Sequence, residues 1–85
     1  MNKGTVKQVI GPVVDVYFEG DPPAGGLPPL RNALKTKSGD RVVWLEVSQH
    51  IGLGRVRCVA LMDTSGLKRG EEVEDTGAPV TVPVG

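Results

Sequence analysis

An 85-residue chain with ten basic and ten acidic side chains carries no net charge. That balance argues against nucleic acid as a main partner and against a polybasic membrane anchor, since both need a surplus of Lys and Arg. Twelve Gly, seven Pro and fourteen Val against two Met favour strands and turns over helices, and 39% hydrophobic content excludes a disordered chain.

In chain order, the first strand spans Thr5 to Ile10 and closes on Gly11-Pro12, a tight corner because Pro cannot donate to a ladder. Val13 to Phe18 follows, with Val14, Val16 and Phe18 on one face and Val13, Asp15 and Tyr17 on the other. Glu19 to Leu30 holds four Pro and three Gly in twelve positions and reads as an irregular, mobile loop. Arg31 to Lys37 is a third strand with Leu34 its best inward residue, and Ser38-Gly39-Asp40 a three-residue hairpin loop. Arg41 to Gln49 has the clearest alternation: Val43, Leu45 and Val47 face the core, which leaves Trp44 on the polar face. His50 to Gly54 is expected as a turn. Arg55 to Leu61 is a fifth strand, with Val56, Cys58 and Ala60 inward against Arg55 and Arg57. A loop over Asp63 to Gly70, a short strand Glu71 to Glu74 and an apolar segment Val80 to Val84 complete the chain. Short strands at this spacing predict one all-β domain over residues 1–85, a small closed six-stranded barrel of antiparallel type, because closure removes exposed strand edges.

Cys58 has no second cysteine for an internal disulfide, and no apolar run approaches the ~18 residues that cross a bilayer, so direct membrane insertion is not expected. The opening Met1-Asn2-Lys3-Gly4 lacks the apolar stretch of a signal peptide. Asp75-Thr76-Gly77 has the form of an aspartic-protease motif, in which two chains each supply one carboxylate. Here it follows Val73-Glu74 rather than an apolar strand and leaves only ten residues for the rest of such a fold, so it reads as a turn. His50 and Cys58 lack the paired spacings of a zinc site, and no phosphate-cradling glycine loop is present. No catalytic, cofactor or metal residue is therefore assigned. An oligonucleotide-binding barrel needs stacking aromatics in a basic groove, whereas Arg55, Arg57, Lys68 and Arg69 are followed at once by Glu71, Glu72, Glu74 and Asp75. The positive signal is apolar bulk outside the core: Trp44, with Ile51 and Leu53 in a glycine-bounded turn, flanked by Arg55 and Arg57. These five are the candidate partner-contact residues, the alternative being that the loop Glu19 to Leu30 folds over them.

The order of motifs resembles the opening of the β (catalytic) subunit of the rotary ATP synthase. The resemblance is carried by Gly4-Thr5-Val6-Lys7-Gln8-Val9-Ile10-Gly11-Pro12-Val13-Val14-Asp15-Val16, Leu27-Pro28-Pro29-Leu30, Asn32-Ala33-Leu34 and Leu45-Glu46-Val47-Ser48-Gln49-His50. Gly66-Leu67-Lys68-Arg69-Gly70, Asp75-Thr76-Gly77-Ala78-Pro79 and Val82-Pro83-Val84-Gly85 complete it, so that it covers Gly4 to Gly85. It implies a six-stranded barrel that alternates with α-subunit barrels on both sides as the crown of a hexameric head, a mechanical role in a proton-transporting ATP synthase. It implies a peripheral complex on the cytoplasmic side of an energy-transducing membrane, of bacterial or plastid type since no transit peptide precedes Met1. In the family a nucleotide-binding domain follows, where ATP or ADP binds with magnesium. No position before Gly85 matches its P-loop, so no catalytic residue carries over.

Overall fold

The computed structural model describes residues 3–18, 28–52 and 54–79. Six strands make up this part: β1 (Lys3–Ile10), β2 (Val13–Phe18), β3 (Asn32–Ser38), β4 (Arg41–Gly52), β5 (Arg55–Ala60) and β6 (Glu72–Pro79). They close into a barrel in the order β1-β2-β5-β4-β3-β6, every neighbouring pair antiparallel. The expected all-β, closed, six-stranded architecture is the one observed.

Alternation builds the interior. Val14, Val16 and Phe18 of β2, Leu34 of β3, Val43, Leu45 and Val47 of β4, Val56 and Cys58 of β5, and Val73 of β6 form one buried cluster with Val6 of β1 and Leu67. Leu67 comes from the loop between β5 and β6 and caps the barrel from the end that carries the Gly11-Pro12 corner. Thr36, a buried polar residue of β3, donates its hydroxyl to the Glu72 carbonyl at 2.8 Å, and no buried side-chain N or O among the described residues lacks a partner.

β1 begins at Lys3 rather than Thr5 and β5 ends at Ala60 rather than Leu61, and four further differences from the sequence reading have a local reason. β3 begins at Asn32 rather than Arg31, because Arg31 takes the left-handed conformation (φ 74°) while its N–H donates to the Val47 carbonyl. The β3–β4 connection is the two residues Gly39-Asp40, since Ser38 still pairs with Arg41. β4 continues through His50 and Ile51 to Gly52, so the expected turn at His50 is strand, with bulges at Val47/Gln49 and His50/Gly52 absorbing the barrel's curvature. β6 starts at Glu72 and runs to Pro79, so Asp75-Thr76-Gly77 lies inside a strand and is not a turn. Between the pairs Leu34↔Asp75 and Asn32↔Pro79, β6 spends two more residues than β3, and Gly77 at φ 77° takes the bulge. The expected mobile loop falls mostly on residues 19–27 and the last apolar segment on residues 80–84, both outside the described residues.

Candidate functional site

Since the interior is filled, the chemistry that remains is on the outer wall. On β2 and β5 the outward residues meet in register: Val13 with Val59, Asp15 with Arg57, Tyr17 with Arg55. Asp15 points outward yet is only 8% exposed, and Arg57 holds it through Nε at 3.0 Å and a longer Nη2 contact. That bond, then the Coulomb attraction of the same carboxylate, raises the Arg57 pKa above its ordinary value. Both arginines are exposed, but Arg57 is tied to the carboxylate of the neighbouring strand, while Arg55 stands beside Tyr17. Lys7 lies over the Tyr17 ring at 5.5 Å, and Lys7, Arg55 and Arg69 line one shallow polar groove with Thr5, Gln8 and Asp15.

Trp44 sits on the outer face of β4, 38% exposed, with Lys35 5.9 Å from its ring centre and Glu74 3.9 Å from the same ammonium. Ile51 is half-buried, seven residues further along the same strand, which places it roughly 20 Å from Trp44. The structure therefore does not bring Trp44 and Ile51 into one patch, and Leu53 lies outside the described residues. His50 is committed to a structural bond: its Nε2–H donates to the Pro28 carbonyl at 2.7 Å, anchoring the buried Pro28 against β4.

What gathers around Trp44 is a different set. Leu61 donates its backbone N–H to the Trp44 carbonyl at 2.9 Å, and Met62 follows it. Val59 pairs with Glu46 of the same strand as Trp44, whereas Ile10 pairs with Val13 and lies on β1, three strands from β4 in the closed order. Ile10 (60%), Val59 (39%), Leu61 (45%) and Met62 (38%) are all exposed. For Val59 and Leu61 the signal was in the sequence, because an inward Val56, Cys58 and Ala60 requires their neighbours to face out. For Ile10 it was hidden: the bulge between Val6 and Gln8 reverses the alternation of β1, turning Val9 toward the core and Ile10 away.

Asp75 offers no free carboxylate of the aspartic-protease kind. Its Oδ1 accepts from Asn32 Nδ2 at 3.1 Å and from the Gly77 N–H at 3.0 Å, and Thr76 donates its hydroxyl to the Ala33 carbonyl at 2.7 Å. The bonds with Asn32 and Ala33 tie the β6 bulge to β3, and the Gly77 bond closes it within β6. Among the described residues no three His, Cys, Asp or Glu side chains gather where a metal ion could sit, and no helix is long and apolar enough to cross a membrane. Cys58 is fully buried, and burial, with the Asp15 charge adding to it, pushes its thiol pKa up to about 12. A thiol so held is not a nucleophile at neutral pH. Compared with known families, residues 6–77 match the model described as the ATP synthase alpha/beta family, beta-barrel domain.

Proposed function

The chain belongs to the ATP synthase alpha/beta family, of which it carries the β-barrel domain, and from that membership we propose that it is the N-terminal barrel of a β-type subunit, an assembly module packing between two α-subunit barrels. The observation that carries the reading is the closed barrel within the family match, its interior filled and its apolar excess on the outer wall. A barrel without an open edge is stiff, and stiffness suits a part that keeps a ring together while neighbouring domains move. The β-type assignment rests on the opening, Gln8-Val9-Ile10-Gly11-Pro12-Val13-Val14-Asp15-Val16, since the closing Val82-Pro83-Val84-Gly85 is shared with the α subunit. In this reading ATP, ADP and magnesium belong to a following nucleotide-binding domain of a proton-transporting synthase. The complex is peripheral to an energy-transducing membrane, on its cytoplasmic side.

Sedimentation of the chain mixed with an α-subunit barrel tests the reading. One ring contact without the avidity of six is expected to give weak association, with Kd on the order of millimolar. No association at millimolar concentration contradicts it.

A further inference from the structure

We propose that the polar groove on the outer wall of β1, β2 and β5, lined by Lys7, Gln8, Arg55 and Arg69, binds a doubly charged oxyanion of the phosphate class. Such a site is independent of the ring reading above, since it depends only on side chains of one barrel.

Charge comes first. The chain as a whole carries no net charge, yet Lys7, Arg55 and Arg69 bring three cations to one groove. Among the described residues none of these three is ion-paired, because the acids around them are committed elsewhere: Glu72 to Lys3 at 3.8 Å, Glu74 to Lys35 at 3.9 Å, and Asp15 to Arg57 at 3.0 Å. Asp15 also lines the groove, but Arg57 meets its charge, so the surplus of the other three cations stands. A cleft of one sign concentrates ions of the other. Two guanidinium groups and an ammonium suit the several oxygens of a phosphate, and Thr5 and Gln8 add uncharged hydrogen-bonding groups. A lone carboxylate offsets one of the three charges, whereas a phosphate dianion offsets two. Strand geometry comes second. The bulge between Val6 and Gln8 leaves both Lys7 and Gln8 exposed, where a regular strand would send one of them into the core. Lys7 lies 5.5 Å from the centre of the Tyr17 ring, on the side of the barrel where Arg55 stands opposite Tyr17. Gly70 donates its N–H to the Val6 carbonyl at 2.8 Å, which fixes the loop carrying Arg69 against β1. The three cations thus reach the groove from β1, β5 and the β5–β6 loop, each from a backbone already held in place.

The test is titration of the chain with inorganic phosphate, followed by amide NMR, with sodium chloride adjusted to hold ionic strength constant. Saturable shifts at Lys7, Gln8 and Gly70 are expected, with Kd on the order of millimolar because the groove is open to water. Arg55→Gln and Arg69→Gln are each expected to weaken binding about threefold or more while keeping the dispersed spectrum of the parent chain. Lys37→Gln, on β3, is expected to leave the affinity unchanged. Glycerol phosphate and acetate are titrated in parallel. Glycerol phosphate bound as tightly as inorganic phosphate supports a terminal phosphate group carried by a larger molecule, and weaker binding supports the free anion. Shifts that never saturate, acetate bound as tightly as phosphate, or equal losses in Lys37→Gln and Arg55→Gln overturn the site and leave the ring reading standing.

Discussion

At the Arg57 guanidinium, position in the fold decides what a charge does. Sequence placed Arg55 and Arg57 alike on an outer face, yet only Arg57 lies opposite Asp15, whose carboxylate is nearly buried. Replacing Arg57 by Gln leaves that carboxylate without its cation, and a buried charge deprived of its partner is costly. Arg57→Gln is therefore expected to lower Tm clearly, whereas Arg55→Gln, made opposite Tyr17 rather than a carboxylate, is expected to leave it within a degree or two. Equal Tm values for the two variants contradict the assignment. Cys58 supplies a second check. Its thiol pKa near 12 in the fold exceeds the unfolded value, so the native state keeps its proton where the unfolded chain loses it. The resulting stability is present below about pH 9 and fades as pH rises toward 12. Native protein at pH 8 is expected to resist iodoacetamide and to label fully in denaturant. Rapid native labelling contradicts the burial. Asp63 works in the opposite direction: the Ser65 hydroxyl and backbone N–H both donate to it and lower its pKa. Ser65→Ala is expected to raise the Asp63 pKa in a carboxyl-detected NMR titration. The stability that the hydroxyl contributes exists above the unfolded pKa and is lost as pH falls through the folded one.

Strands were legible in the sequence wherever one face is wholly apolar. β2 and the core-facing half of β4 follow from alternation alone, because Val14, Val16, Val43, Leu45 and Val47 recur at period two. The bulges were not legible. Nothing local distinguishes the residue that β1 inserts at Lys7, or the two that β6 adds beyond Asp75, from regular strand, since each is set by the partner strand and by barrel curvature. Asp75-Thr76-Gly77 therefore looked like a turn, and the outward direction of Ile10 went unseen. The pairing of β1 with β2 has its own constraint at Gly4, where a Cβ would stand 2.8 Å from the Tyr17 carbonyl oxygen and 2.9 Å from Val16 Cγ1. Gly4→Ala is expected to force these strands apart and to lower the urea midpoint. Leu34→Ala, made in the fully buried centre of β3, is expected to cost about 2–5 kcal/mol in the same titration. A midpoint for Gly4→Ala equal to that of the parent chain contradicts the close approach of β1 and β2.

For the whole molecule, balanced charge and a filled interior leave assembly as the property to be tested. The apolar surface around Trp44 was half visible in the sequence: the tryptophan stood out on a polar face, but its neighbours Val59 and Leu61 come from β5 and the turn after it, fifteen or more residues away. Their grouping depends on the β4–β5 register, which the bulges at Val47/Gln49 and His50/Gly52 set. Such a register cannot be read from local pattern. The most direct measurement is hexamer formation by native mass spectrometry, with α subunits mixed either with the intact β-type subunit or with the same subunit lacking residues 1–79. The barrel as an assembly module predicts an alternating hexamer from the intact subunit and none from the shortened one, which still binds nucleotide. A hexamer of equal yield and stability from the shortened subunit contradicts it.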